Sequence, residues 1–333
     1  MKKIWGAAAA VTILAGSLLA GCGNSDSSKE EGSSSAGDGK TYKIGVTQIV
    51  QHASLDEAYK GFKAALKEEG IKADYDVQIA QGDQNNSQTI ANNFAGDGVD
   101  LIFANSTPSA LSALNATKDI PIVFTSVTDP VEAKLVSSMD KPDGNVTGTT
   151  DSQPDAIANS VKFLADELGA KTIGTVYNSG EKNSIVQVDA MKAEAKKSGI
   201  KVAEASVSTS AEVKTAAESL AGKADAFYII TDNTVVSALE SVISVANDQD
   251  IPLFVGELDS VQRGGFAAYG FSYYDIGFEA GEKAAEILKD GKNPGDIPVQ
   301  YPQNLKLMIN EKAAKDMGVE IKDEWKEEAE IVK

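Results

Sequence analysis

The residues with the clearest chemical potential are polar side chains that follow short apolar runs. In the first half of the chain these are one amide, one imidazole and four hydroxyls, namely Gln48, His52, Ser106, Thr107, Thr125 and Ser126. Ser106 and Thr107 precede Pro108, an order typical of a helix start, where hydroxyls and free backbone N–H groups favour an anion. A carboxylate is the ligand group that such a set would bind, although each hydroxyl also suits an ordinary helix cap.

The corresponding places in the second half carry amides and carboxylates. These residues are Asn178, Ser184, Asp232, Asn233 and Glu257. Asp232 or Glu257 is placed to accept an ammonium group, although Asp232 also has the position of a helix cap. A site built from both halves would therefore suit a zwitterion, a ligand with one carboxylate and one ammonium group.

The sequence has few of the residues and motifs that catalysis or metal binding requires. The 333 residues include one His, His52, and one Cys, Cys22. Given where that Cys sits, near the N-terminus, they cannot supply a multi-Cys/His zinc site or a Cys/His nucleophile pair within the fold. The phosphate-binding pattern GxxxxGK[ST] and the hydrolase pattern GxSxG are both missing. We therefore expect no enzyme activity, no metal and no cofactor.

The acidic balance excludes a further class of partner. The chain has 31 Lys and Arg residues against 49 Asp and Glu residues, a formal net charge of −18. Nucleic-acid binding needs a cationic face, because affinity comes largely from releasing the counterions of the phosphates. We therefore expect no nucleic-acid partner.

The first residues have the pattern of a targeting signal. Lys2 and Lys3 precede an apolar run over 7–20, which is shorter than the roughly 20 residues of a membrane span and ends in small residues. This pattern predicts a signal peptide over 1–21. The sequence Leu-Ala-Gly-Cys at 19–22 resembles a bacterial lipoprotein box, which implies lipidation of Cys22; a secreted protein with a stray cysteine is the alternative. The Gly, Ser and acid-rich stretch that follows predicts a flexible tether, so that residues 22–40 form a lipidated cysteine and its linker.

From Thr41 the chain alternates short apolar runs with helical ones, twice over. Runs that are apolar throughout are typical of parallel strands covered on both faces. The first passage predicts strands at 42–48, 75–80, 100–105 and 121–126 and helices at about 55–69, 84–95 and 109–117. The second predicts strands at 172–178, 201–206, 225–230 and 252–256 and helices at about 155–168, 184–197, 211–220 and 235–247. The fold class is therefore α/β, with two doubly wound parallel-sheet lobes.

The two passages also match each other. Asp-Ile-Pro precedes an apolar run at 119–121 and again at 250–252, and Ile44-Gly45 corresponds to Ile173-Gly174. We interpret this as a structural duplication. The alternative is that such features, for example Asp-Ile-Pro before a buried strand, recur commonly in α/β folds.

The tail has too few elements for a third domain. It predicts a strand at 265–270, a helix at 275–288, short runs at 299–301 and 305–309, and a helix at about 311–317. We expect these elements to complete both lobes through a multi-strand hinge. The predicted boundaries are 41–148 plus about 271–299 for lobe 1, and 149–270 plus about 300–333 for lobe 2.

Several segments together resemble a known family across essentially the whole chain after the tether. They include KIGVTQIVQHASLD (43–56), AQGDQNNSQTIANNF (80–94), VDLIFANSTPSAL (99–111), DIPIVFTSVTDPV (119–131), TIGTVYNSGEKNS (172–184), TDNTVVSALESV (231–242) and FVGELDSVQRGGFAAYGFSYYDIG (254–277). The chain is similar to the substrate-binding lipoproteins of ABC transporters of the tryptophan/tyrosine type, which have a type I periplasmic-binding-protein-like fold.

The resemblance implies a function for the predicted site. It implies capture of an aromatic amino acid, Trp, Tyr or Phe, by hinge closure, with delivery to an ABC permease and its ATPase. It also implies a monomer held by its lipid on the extracytoplasmic face of the cell membrane. A sugar or nucleoside binder of the same fold, and a ligand-sensing receptor or adhesin lipoprotein, remain as alternatives.

Overall fold

The computed structural model describes residues 40–333. The predicted signal peptide (1–21), Cys22 and all of the predicted tether before residue 40 lie outside the described residues. Between residues 40 and 333, no helix has the length and apolar character needed to cross a membrane.

Lobe 1 is built on a five-stranded parallel sheet in the order β2-β1-β3-β4-β5. Its strands are β1 (Thr41–Gln48), β2 (Lys72–Ile79), β3 (Leu101–Asn105), β4 (Ile122–Val127) and β5 (Val146–Thr150). Its helices are α1 (Ala53–Glu68), α2 (Gln84–Asp97), α3 (Thr107–Ala116) and the much later α10 (Tyr273–Asp290). Phe103 of β3 packs with Phe62 of α1, whereas the adjacent Ala104 packs in the cluster that contains Phe94 of α2. Both faces are covered, which explains why the strand is apolar from Leu101 to Ala104.

Lobe 2 is built on a seven-stranded sheet in the order β12-β11-β10-β9-β8-β6-β7. Its strands are β6 (Thr172–Asn178), β7 (Lys201–Val207), β8 (Ala226–Ile229), β9 (Leu253–Val255), β10 (Ala267–Gly270), β11 (Lys306–Asn310) and β12 (Ala329–Val332). Its helices are α4 (Pro154–Asp166), α5 (Lys182–Lys197), α6 (Val213–Leu220), α7 (Asn233–Val236), α8 (Leu239–Asp248), α9 (Leu258–Arg263), α11 (Glu311–Asp316) and α12 (Asp323–Glu328). Strands β10 and β11 are antiparallel. The chain leaves lobe 2 after β10 to form α10 and then re-enters from the hinge, so β11 must run in the opposite direction.

The predicted fold class, two doubly wound α/β lobes, is confirmed. Some elements differ from the sequence prediction. The helix expected over 235–247 is broken into α7 and α8 at Ser237 and Ala238. The run at 299–301 forms only an isolated bridge, from Gln300 to Thr149. The short elements α9, α12 and β12 were not predicted from the sequence.

The internal repeat corresponds to a repeated topology. The order β2-β1-β3-β4-β5 of lobe 1 recurs as β7-β6-β8-β9-β10 in lobe 2. Asp100, just before β3, accepts a hydrogen bond from the backbone N–H of Lys43 at 2.8 Å. Asp225, just before β8, accepts one from the backbone N–H of Thr172 at the same distance. Strands β1 and β6 are thus equivalent, as are β4 and β9, and these correspondences support a structural duplication.

Helix α10 is joined to lobe 1 by a seam of glycines against α1. A Cβ on Gly61 of α1 would lie 2.0 Å from the carbonyl oxygen of Tyr274. A Cβ on Gly277 of α10 would lie 1.9 Å from the carbonyl oxygen of Ala58. Only glycine permits this approach, so the two backbones are in direct contact.

Candidate functional site

The predicted site residues of lobe 1 meet at one edge of its sheet. Gln48, Asn105 and Thr125 are partners in register at the carboxyl ends of β1, β3 and β4. Ser106 and Ser126 each follow directly, and both are buried. The carboxyl ends of parallel strands are the usual place for a ligand in α/β folds, and the register brings these groups together there.

Three of these residues form what we call the hydroxyl cluster: Ser106, Thr107 and Ser126. None of their hydroxyls has a hydrogen-bond partner among residues 40–333, although all three are buried. Ser106 occupies the N-cap position of α3 without capping it, so the first backbone N–H groups of that helix are not bound by its side chain. Buried hydroxyls beside a helix N-terminus are suited to bind an anion.

Backbone strain marks the same cluster. Ser106 has a φ of 86° and Ser126 a φ of 56°, both in the left-handed region that favours glycine. Strain of this kind costs free energy and concentrates at functional sites, where it aims groups that a relaxed turn would not. Among the predicted residues of lobe 1, these two serines are therefore the ones with a strained backbone conformation.

Gln48 and Thr125 have their polar atoms occupied within lobe 1. The Gln48 side chain accepts from Asn105 at 3.1 Å and donates to Asp56 at 2.9 Å. The Thr125 hydroxyl accepts from Thr149 at 2.9 Å. These two residues therefore position neighbouring elements of the sheet edge.

Asp232, in lobe 2, is a fully satisfied carboxylate. It accepts from the Ser184 hydroxyl and the Asn178 backbone N–H, both at 2.6 Å, and caps α7 through the Val235 N–H at 2.8 Å. Burial, assisted by the charge of the nearby Glu181, raises the pKa of Asp232. The side chain of Asn178 donates to Thr234 at 2.9 Å.

Glu181 is a site residue that the sequence analysis missed. It is only 4% exposed and accepts from the Thr234 hydroxyl at 2.8 Å. It also accepts from the side-chain amides of Asn183 and of the predicted Asn233. The signal was present, since Glu181 follows β6 at the same sheet edge as the other predicted residues.

Glu257 lies against both lobes. It is 2% exposed, and its Oε2 accepts from Ser260 of its own lobe at 2.8 Å and from Ser54 of lobe 1 at 2.7 Å. Burial raises its pKa, and the two serine hydroxyls oppose that shift.

A second link between the lobes runs through residues outside the predicted set of ligand contacts. Gln187 of α5 donates to the Thr128 hydroxyl, just beyond β4, at 3.2 Å. Thr128 in turn donates to Asp151 at 2.9 Å, and Tyr273 donates to the other oxygen of Asp151 at 3.0 Å. Burial raises the pKa of Asp151 to about 6.

His52 contributes a neutral imidazole to the interface. It stands at the N-cap position of α1 and is 7% exposed, and its Nδ1 has no hydrogen-bond partner among residues 40–333. Burial and the charge of Arg263 lower its pKa from 6.5 to about 4. Arg263 itself is paired with Glu240 through two hydrogen bonds of 2.9 Å.

Two cavities flank the contact between the lobes. The larger, about 600 Å³, lies between α2 and α3 of lobe 1 and the loop before α5, with Thr107 and Glu181 in its wall. The smaller, about 130 Å³, lies towards the hinge, where Asp151 and Gln187 meet the aromatic rings of Tyr228, Tyr269 and Phe271. Over the described part of the chain, residues 40–333, no group of three or more His, Cys, Asp and Glu side chains is arranged to hold a metal.

The predicted residues of both halves are thus brought to one gap between two α/β lobes, and a family model agrees with this arrangement. The model described as ABC transporter substrate binding protein matches residues 43–333. The chain belongs to this family. Its members bind small ligands outside the cytoplasm for an ABC permease.

Individual relatives of this substrate-binding protein are similar over nearly the whole chain. A tyrosine-binding protein of Clostridioides difficile (strain R20291) is 45% identical over 314 residues, which is 92% of this chain and 90% of the relative. An ABC domain from Streptococcus pneumoniae, solved in complex with L-Trp, is 34% identical with a TM-score of 0.84. It covers 88% of this chain and 100% of its own.

A third relative of the substrate-binding protein was solved in a different state. It is the ligand-free, open structure of a substrate-binding protein with adhesive properties from Clostridium difficile. It is 42% identical, covers 88% of this chain and 99% of its own, and has a TM-score of 0.64. Together with the topology, these relatives place the chain in the type I periplasmic-binding-protein fold.

Replacing His52 with Gln is expected to remove part of the pH dependence of folding. The unfolded chain protonates this His near pH 6.5 and the folded chain only near 4, so protonation favours the unfolded state. The contribution of His52 to stability is therefore lost as the pH falls from 6.5 to 4, by up to about 3 kcal/mol. Urea unfolding of both proteins between pH 7 and pH 4 measures this, because the buried carboxylates titrate in both and largely cancel in the difference. Parallel stability curves would contradict the neutral imidazole.

Proposed function

We propose that this substrate-binding protein captures a zwitterionic amino acid with an aromatic side chain between its two lobes and delivers it to an ABC permease. The observation that carries the proposal is the opposite polarity of the two sheet edges. Lobe 1 presents the hydroxyl cluster and the N-terminus of α3, whereas lobe 2 presents the buried carboxylates Glu181, Asp232 and Glu257. A free amino acid has one group for each.

The ligand carboxylate is assigned to lobe 1. The hydroxyls of Ser106, Thr107 and Ser126 have unused hydrogen-bonding capacity within the described chain, and a helix dipole adds a favourable field for a negative charge. The left-handed φ values of Ser106 and Ser126 support this assignment, since such strain is characteristic of a ligand clamp.

The ammonium group is assigned to Glu257. Asp232 already accepts three hydrogen bonds inside lobe 2, whereas the hydrogen bonds from Ser54 and Ser260 both reach a single oxygen of Glu257. A buried carboxylate gains most from a cation that compensates its lost hydration. Asp232 is then a positioning residue that holds α7 and the end of β6 in place.

The proposal that the ligand is an aromatic amino acid rests on the ligands of relatives together with the polarity of the site. Two relatives above 30% identity have a stated ligand, tyrosine at 45% identity and L-Trp at 34%. The expectation that the protein acts as a monomer is supported by the fact that both halves of the site lie in one chain.

Hinge closure is the proposed mechanism of capture. The open, ligand-free relative is more similar in sequence than the L-Trp complex, at 42% against 34%, yet it superposes less well, with a TM-score of 0.64 against 0.84. A different angle between the lobes accounts for this inversion. Contacts from both lobes to one ligand exist only in the closed form, so ligand binding favours closure.

Titration calorimetry against a panel of ligands tests the proposed function. We expect Tyr, Trp or Phe to bind, with branched-chain amino acids weaker and with no heat from sugars or nucleosides. The methyl ester of the best ligand, which keeps the ammonium and lacks the carboxylate charge, is expected to bind far more weakly. Binding of a sugar with no amino-acid binding would overturn the proposal.

Glu257→Gln is expected to lower the affinity for the amino acid, whereas Asp232→Asn is expected to lower the stability of the fold. Loss of the charge partner of the ammonium should weaken amino-acid binding by roughly tenfold to a hundredfold in Glu257→Gln, with little change in thermal midpoint. Asp232→Asn should instead lower the unfolding free energy by about 1–3 kcal/mol, because it places an amide against groups that donate. Calorimetry and urea unfolding of each variant distinguish the two roles. Equal loss of affinity at unchanged stability in Asp232→Asn would transfer the ammonium to that residue.

We also propose that Cys22 is lipidated and holds the protein on the extracytoplasmic face of the cell membrane. The support is the sequence alone, an apolar run ending in Leu-Ala-Gly-Cys. Metabolic labelling with a radioactive fatty acid should mark the wild-type chain and leave Cys22→Ser unmarked. Equal labelling of both, or of neither, would remove the anchor.

A further inference from the structure

Two hydrogen bonds join buried side chains of opposite lobes. The Ser54 hydroxyl, in α1 of lobe 1, donates to Glu257 Oε2 of lobe 2 at 2.7 Å. Gln187 Nε2, in α5 of lobe 2, donates to Thr128 Oγ1 of lobe 1 at 3.2 Å. All four residues are at most 7% exposed. A third cross-lobe bond, from Gln84 to the carbonyl of Gly180, is exposed at the rim and competes with water.

The internal duplication relates the two buried bonds to each other. Helix α1 follows β1, and α5 follows the equivalent strand β6. Thr128 follows β4, and Glu257 follows the equivalent strand β9. Each bond therefore runs from the helix that follows the first strand of one lobe to the end of the fourth strand of the other. This is the reciprocal pattern of an interface between two copies related by a two-fold axis.

Each cross-lobe bond is supported by further hydrogen bonds whose two partners lie in the same lobe. Thr128 is fixed by its bond to Asp151 at 2.9 Å, and Gln187 is fixed by its bond to the Thr231 hydroxyl at 2.6 Å. On the other side, Ser260 of lobe 2 donates to the same oxygen of Glu257 that Ser54 reaches. The partners are thus held in place before the lobes meet, which reduces the entropy lost on forming the cross-lobe bond.

We propose that Ser54–Glu257 and Gln187–Thr128 form a matched latch, in which Ser54, Thr128 and Gln187 are positioning residues that set the fraction of closed molecules. As a device for ligand capture, the latch rests on the function proposed above. The apparent affinity of a clamp is its intrinsic affinity scaled by the fraction of competent molecules. A latch made of protein atoms alone therefore changes the affinity for every ligand by the same factor.

The variants are Ser54→Ala and Thr128→Val, singly and together. Each removes one cross-lobe hydroxyl with little change in volume. Ser260→Ala is the matched control, because it removes a donor to the same Glu257 oxygen but from within lobe 2. Thr128→Ser is the rescue variant, since it restores the hydroxyl.

Lobe separation is measured by pulsed electron spin resonance between spin labels on Asp97→Cys of lobe 1 and Lys223→Cys of lobe 2, both exposed, in a Cys22→Ser background. Without added amino acid, each single latch variant should shift the distance distribution towards the open form, and the double variant should shift it further. Affinities for Tyr, Trp and Phe should fall by a common factor of about threefold to tenfold for each single variant. The factors should multiply in the double variant, because both bonds act on one equilibrium.

Three results would overturn the latch. One is an unchanged distance distribution in both single variants, and another is a shift in Ser260→Ala as large as that in Ser54→Ala. The third is a loss of affinity that differs among the three amino acids, which would make the residue a ligand contact. Thr128→Ser must also restore the wild-type distribution. If the wild-type chain binds no amino acid, the proposed function fails, whereas the distance measurement still tests the latch.

Discussion

The burial of carboxylates between the lobes is the constraint on which this interface depends. A carboxylate removed from water costs several kcal/mol unless donors or a cation replace its hydration. Asp151, Glu181, Asp232 and Glu257 are all buried here, and each is surrounded by hydroxyls, amides or backbone N–H groups. The side chains that donate to these carboxylates are therefore Ser, Thr, Asn and Tyr, since an apolar filling would leave the charges unpaired.

The same constraint gives the two halves of the duplicated fold different polar groups at equivalent positions. Both lobes bring the carboxyl ends of equivalent strands to one gap. In lobe 1 those ends carry hydroxyls and a helix N-terminus, and in lobe 2 they carry acids with their donors. Two copies of one scaffold thus present complementary charge preferences to a shared space. His52 belongs to the first copy and is a neutral imidazole, because burial and then the charge of Arg263 in the second copy lower its pKa.

The sequence was sufficient for the scaffold and for one partner of the Ser54–Glu257 contact. Apolar runs such as 101–104, within the predicted strand 100–105, predicted buried parallel strands, and the strand-end rule selected Ser106, Ser126, Asp232 and Glu257. It missed β12 and α9, which are too short for a periodic pattern. It also missed Ser54, Asp151, Glu181 and Gln187 as site residues. Their roles come from partners as far as 203 residues away in the chain, and no local pattern records such a distance.

The glycine seam between α1 and α10 also determines the order in which the lobes can be completed. Helix α10 begins at Tyr273, after the chain has passed through β6 to β10 of lobe 2. As synthesis proceeds from the N-terminus, one face of the first sheet is covered only in part, by α1, until this helix emerges. The contiguous strands β6 to β10 can assemble earlier, although they are encoded later. The half of the protein that is made first therefore waits for a helix encoded after five strands of the other half, and its apolar face needs protection in the interval.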